Sequence, residues 1–416
     1  MERKNFLAYT QAGCLAALDT PAGRAGEVTV GLYVRNAVEQ EGPETYGLTN
    51  LMDLYLSDRI CTLPALAEAE TYFCTYDVCS LFRVTLPGER CVEAALGMLA
   101  ELRKLSEAPW DREAFETARE ECREACGRYR ATFRRRLDRA VWSPRFRSAP
   151  LIGLRKTVGA FSLEQAWAWA RAHTGPDDCC LCLTGEDAVR YGQALRDILP
   201  TACPPRTPLP RPGVPGRLEL LPSRRGRGAV GLSFQGNVPR GEQLNVEALG
   251  FAVDDLLAET GMCWEKAWFV ATDPVTLQLV TRTEGERAPE TIRRAAAALR
   301  ALPELLTEEK VRALEEDLCR VYRREWDDPL RANGTLGENG LFRTYETAKL
   351  LDLAHNRPFL SAEKMLKVAA ALFTSGGCTA VVQGAGEEPG AVAEALRAWD
   401  GVGRNALPDL SGGPEA

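Results

Sequence analysis

Histidine is nearly missing from this chain: among 416 residues only His173 and His355 carry an imidazole, and they lie far apart. That scarcity excludes a metal centre built on neighbouring histidines and leaves imidazole acid–base chemistry two candidates. Lysine is also rare, eight of the 51 basic residues, the rest being arginine spread along the whole chain. No apolar run approaches the roughly 20 residues of a membrane span. The N-terminal apolar stretch is interrupted at Thr10 and Gln11, which argues against a secretory signal. Fourteen cysteines are too sparse for a disulfide scaffold and lack zinc-ribbon spacing, so reduced thiols and a cytoplasmic location are expected. A net charge of −7 argues against nucleic acid as a partner.

What is present is an ordinary globular composition, 45% hydrophobic and 26% charged, long enough for two or three domains. Seven prolines fall between Pro200 and Pro215, a density that neither a helix nor a central strand accepts, so residues 200–216 read as an extended linker. The two sides share an order of elements. Before the linker, the alternation Val28, Val30, Leu32, Val34 marks a strand, followed by a helix over 48–59, strands near 71–76 and 81–86, long helices over 92–105 and 112–136, and a strand at 179–184. After it come strands at 218–221 and 229–234, a helix over 244–259, strands at 267–271 and 276–281, four helices, and a strand at 379–383. The gly-rich Asn333–Gly340 reads as a turn between helices. The expectation is an α+β fold of two similar domains, 1–199 and 217–402, each a mixed sheet covered by helices on one face, with a flexible tail over 403–416.

One segment carries chemistry. Val30-Gly-Leu-Tyr-Val, a polar turn, then Gly47-Leu-Thr-Asn50-Leu-Met-Asp53-Leu54 resembles the strand, turn and helix start of the pitrilysin/insulinase zinc metallopeptidases. In that family the helix bears His-x-x-Glu-His: two ligands four apart on one helix face, with a glutamate general base between them. Here the corresponding positions are Asn50, Asp53 and Leu54. An amide and an alkyl chain replace both ligands, and the aspartate is one methylene, about 1.5 Å, shorter than glutamate. The resemblance places the third ligand on a later helix, at Glu121 or Glu124. With the histidines gone, no catalytic residue and no metal are expected, and zinc is expected only in a partner subunit.

The resemblance continues. Thr71-Tyr72-Phe73-Cys74-Thr75-Tyr76 is similar to the family's edge strand, to which a peptide adds as a further strand, and these residues are candidates for substrate contact. Where complete members carry an arginine and, seven residues on, a tyrosine, this chain places Trp264 and then Trp268 or Phe269. The resemblance therefore implies a non-catalytic half of a heterodimeric, clamshell-like peptidase, binding peptide beside a partner with intact His-x-x-Glu-His. Its known settings are maturation of ribosomally made peptides or modification of elongation factor P. The alternative is a stand-alone peptide-binding scaffold, homodimeric or otherwise, with no proteolysis.

Other features have plainer readings. Thr49 or Asn50 can cap an exposed helix start. Cys122 and Cys126 are helix neighbours that pack as small hydrophobes rather than ligating metal. Cys179, Cys180 and Cys182 belong to a core strand; His173 ends a helix and His355 sits in a loop. Arg128, Arg130, Arg134, Arg135, Arg136 and Arg139 form a solvated helix face or a surface for an acidic partner.

Overall fold

The computed structural model describes residues 4–11, 13–21, 26–76, 78–129, 132–142, 149–175, 179–202, 213–222, 228–239, 242–269, 274–283, 287–342, 360–384 and 388–403. His355, Arg130, most of the proline-rich segment and nearly all of the tail lie outside them.

In chain order the main elements are β1 (Asn5–Thr10), β2 (Gly13–Asp19), β3 (Glu27–Arg35), α1 (Leu48–Cys61), β4 (Glu70–Thr75), β5 (Cys79–Pro87), α2 (Cys91–Glu107), α3 (Arg112–Arg128), α4 (Phe133–Val141), α5 (Leu163–His173), β6 (Cys179–Gly185) and α6 (Ala188–Ile198). They continue with β7 (Leu218–Pro222), β8 (Gly228–Gly236), α7 (Gln243–Ala258), β9 (Trp264–Phe269), β10 (Val275–Thr283), α8 (Ala288–Leu299), α9 (Glu308–Asp327), α10 (Pro329–Phe342), α11 (Ala362–Leu372), β11 (Cys378–Gly384) and α12 (Pro389–Leu396).

The chain is α+β, with two mixed sheets of matching order. The first runs β1-β2-β6-β3-β5-β4 and the second β7-β11-β8-β10-β9. Apart from the extra outer strand β1, each position has its counterpart: β2 with β6 and β7 with β11 are the parallel pairs, and the other neighbours are antiparallel. Two compact units result. One comprises Met1–Arg130, Arg145–Pro208 and Val321–Ala354; the other comprises Ala131–Pro144, Leu209–Arg320 and His355–Ala416.

In the first unit, alternation along β3 sends Val28, Val30, Leu32 and Val34 into a core shared with α1, α2, α3 and α5. Each such fully buried aliphatic side chain contributes about 1.5–3 kcal/mol. The intervening Gly31 and Tyr33 face the opposite side, where α10 lies. This corrects the reading of Asn333–Gly340 as a turn. Three glycines argue against a helix by roughly 1 kcal/mol each, yet two of them, Gly337 and Gly340, permit close packing. A Cβ on Gly337 would come within 2.0 Å of the Tyr33 ring, and one on Gly340 within 2.5 Å of Cys180 Sγ. Tyr33 Oη donates to the Asn333 carbonyl at 2.9 Å, while Asn333 Nδ2 donates to the Cys182 carbonyl at 2.9 Å. Tertiary contacts thus override helix propensity.

The second unit repeats the arrangement. Val230, Leu232 and Phe234 of β8 are buried, with Phe234 against Phe373 and Trp399, and Gly231 lies under Phe133 and Leu137 of α4. The expected single helix over 112–136 is therefore two helices, which belong to different units. The arginine row is divided with it: Arg128 ends α3, whereas Arg134, Arg135, Arg136 and Arg139 lie on α4.

Candidate functional site

Asn50, Asp53 and Leu54 lie in the first two turns of α1. Gly47, at φ 100°, occupies the N-cap position and has no side chain to offer. Glu41 takes the role, its carboxylate accepting from the Gly47 and Thr49 backbone N–H groups, both at 2.8 Å. A buried anion there satisfies two donors and complements the helix dipole. Capping by Thr49 or Asn50 is thus corrected, and so is the exposed helix start, because Asn50 is 7% and Asp53 2% exposed.

Asn50 points at α3. Its Nδ2 donates to Cys122 Sγ at 3.2 Å, and Cys122 and Cys126 both donate to the Ile152 carbonyl, at 3.6 and 3.1 Å. The Cys122 thiol is pushed up by its hydrogen bond to Cys126 and by burial, so it stays protonated. Glu121 and Glu124 are exposed. Glu121 raises the Asp58 pKa through its charge, second to burial, and Glu124 pairs with Arg128 at 3.4 Å. The α3 side chain that meets Asn50 is Cys122. Leu54 is partly buried and packs against the core. Among the described residues no three His, Cys, Asp or Glu side chains converge as a metal site would require.

Asp53 is bonded to the β4–β5 hairpin. Its Oδ2 accepts from Ser80 Oγ at 2.5 Å and from Thr75 Oγ1 at 2.9 Å. Asn36 Nδ2 extends the network to Ser80 Oγ at 3.2 Å and to the Tyr76 carbonyl at 2.9 Å. Burial pushes the Asp53 pKa up to about 7, against the lowering effect of the two hydroxyl donors, and the Glu41 charge adds to the rise. The aspartate is a polar node tying helix to hairpin, sealed from solvent.

That hairpin ends the sheet. Among the described residues β4 pairs with β5 alone, which leaves its outer backbone groups as an edge. Thr75 turns in to Asp53, and Phe73 stacks on Phe82 at 5.1 Å. Thr71 is exposed. On the other face Tyr72 and Tyr76 are 46% and 39% exposed, with the Arg83 guanidinium 4.9 Å from the Tyr72 ring centroid.

Trp264, Trp268 and Phe269 belong to the other unit, in β9, which is likewise an outer strand. Trp264 and Trp268 are half-buried; a Cβ on Gly250 of α7 would lie 2.5 Å from Trp268 Nε1. The Trp268 indole therefore packs against a helix. Sequence reasoning missed Glu41, Ser80, Asn36 and the orientation of Cys122. Ser80 and Cys122 are remote in sequence from α1 and reach it through the hairpin and α3, whereas Glu41 lies only six residues before Gly47.

Solved structures share this architecture. A protease from Helicobacter pylori matches with TM-score 0.69 over 92% of this chain and 100% of its own, at 10% identity. The first half of the periplasmic protease PqqL from Escherichia coli matches with TM-score 0.70 over 98% of each chain, at 10% identity. The chain has the fold of a peptidase half. A structure titled "peptidase M16 inactive domain", from Pseudomonas fluorescens, matches with TM-score 0.68 over 93% of this chain and 98% of its own, at 12% identity. Against whole PqqL the peptidase-half fold spans 50% of that chain. No family model and no curated protein matches by sequence. Among the described residues no helix is long and apolar enough to cross a membrane.

Proposed function

We propose that this chain is the non-catalytic subunit of a two-subunit pitrilysin-like zinc peptidase, holding peptide while a partner with intact His-x-x-Glu-His performs hydrolysis. Asp53 carries the reading. A general base between two zinc ligands must reach a metal-bound water, whereas this carboxylate is buried, shared between Ser80 and Thr75, and flanked by Asn50 and Leu54. In this reading the outer strand β4 is the peptide-holding edge. An extended peptide adds to β4 through main-chain hydrogen bonds, with Tyr72 and Tyr76 offering exposed aromatic surface beside it. The likeness to an inactive domain supports the same assignment.

Tagged protein purified from its native host tests this. The expected result is a co-purifying chain of similar size with intact His-x-x-Glu-His, and peptide cleavage only by the pair. Recovery of a homodimer that binds peptide with no peptidase attached would replace the reading with a stand-alone binding scaffold.

A further inference from the structure

The outer strand β4 presents different surfaces on its two faces. Across the hairpin Tyr72 pairs with Arg83 and Cys74 with Leu81, and Arg83 and Leu81 pair in turn with Gly31 and Tyr33 of β3, so these side chains share the sheet face on which α10 lies. Exposed apolar side chains gather there: Tyr72, Tyr76 and, at the start of α10, Leu330. The Arg83 guanidinium joins two of these residues, since it lies over the Tyr72 ring and donates to the Leu330 carbonyl at 3.3 Å. Tyr72 and Cys74 both lie close enough to act on the Tyr76 hydroxyl. Arg83 thus orders the Tyr72 ring, and a side chain that stacks on an ordered ring gains contact at little entropic cost.

The opposite face is tighter. There Thr71 pairs with Val84 and Phe73 with Phe82, and α1 packs against the strand. Between Ile60 and Cys61 of α1 and Thr71 and Phe73 of β4 lies a recess of about 30 Å³, the room that one water molecule takes in the liquid. It opens to solvent at Cys61 and Thr71, which are exposed. A peptide pairing with the outer edge of β4 sends its side chains alternately to these two faces. Large apolar side chains find surface on one face, and only small ones fit on the other. We infer that β4 selects extended peptides in which large apolar side chains, aromatic ones above all, alternate with small ones, the large set lying against Tyr72, Tyr76 and Leu330 and the small set at the α1 recess. This rests on the peptide-binding reading above and adds the substrate class to it.

Fluorescence anisotropy of labelled, lysine-ended decapeptides with the full-length chain tests the pattern. In one peptide phenylalanine alternates with serine, in a second the same residues are regrouped so that the phenylalanines are consecutive, and a third has valine in place of each serine. The alternating peptide is expected to bind about tenfold more tightly than either of the others, with a preference that persists at high salt. N-methylation along its core is expected to abolish binding, because main-chain pairing is then blocked. Tyr72→Ser/Tyr76→Ser is expected to bind the alternating and regrouped peptides alike, and Tyr72→Phe/Tyr76→Phe to keep the preference, with circular dichroism checking the fold of both. Leu330→Ser, at the other end of the patch, is expected to reduce the preference about threefold and gives an independent readout if the serine pair does not fold. Equal binding of the three peptides, still abolished by N-methylation, overturns the inference and leaves the peptide reading standing. So does a preference unchanged in a folded Tyr72→Ser/Tyr76→Ser chain. Failure of every peptide to bind overturns both.

Discussion

At the scale of single residues, Asp53 ties α1 to the hairpin: it lies three residues after Asn50 on the helix and accepts hydrogen bonds from Ser80 and Thr75. Burial raises its folded-state pKa to about 7 from 3.8. The folded chain therefore holds a proton that the unfolded chain has already released between about pH 4 and 7, and stability falls as pH rises through that window. The full effect of this one group is on the order of 4 kcal/mol. Asp53→Asn keeps an acceptor for Ser80 and Thr75 but cannot ionise. Urea denaturation from pH 5 to 8 is expected to show a smaller decline for the variant, which becomes the more stable protein at pH 8. Parallel pH profiles for the two would show that Asp53 does not titrate as described.

At the scale of elements, α10 shows what periodicity cannot read. Its sequence has the composition of a turn, and it is a helix because Gly337 and Gly340 allow it to settle on Tyr33 and Cys180. Strands with strict alternation, such as β3, and helices with long apolar faces, such as α2, are legible because burial of one face is written into their period. A helix held by close backbone approach leaves no such trace. Gly337→Ala gains helix propensity but forces a methyl into the Tyr33 ring. The expected loss is about 3 kcal/mol, or a midpoint lower by about 6–12 °C. Gly334→Ala, on the same helix, meets nothing within 4 Å and is expected to be neutral or slightly stabilising. Differential scanning calorimetry of the pair distinguishes packing from propensity; equal shifts would remove the close-packing explanation.

At the scale of the whole molecule, two units repeat one sheet order, and each sheet's second face is covered by a helix, α10 in one unit and α4 in the other. Asn50 and Cys122, far apart in sequence, close on each other within the first unit. Elemental analysis of the purified chain is expected to find well under one zinc per molecule, and a chelator should leave the unfolding midpoint unchanged, because an amide, a leucine and a protonated thiol do not supply a ligand set. One tightly held zinc whose removal lowers the midpoint would mean that Cys122 and Cys126 ligate after all.

The sequence by itself determined the alternating strands, the matching order of the two halves and the amide and alkyl side chains at Asn50 and Leu54, because burial period and residue chemistry are local properties. It also placed a strand near Thr71–Tyr76, whose position at a sheet edge was implied only by the family resemblance. Only the tertiary structure decided that Asp53 turns to Ser80 and Thr75 and that Cys122 rather than a glutamate meets Asn50. Those outcomes depend on which distant elements pack together, and the physical reason is that hydrogen bonds and fields act through space, between side chains whose separation along the chain carries no record of their contact.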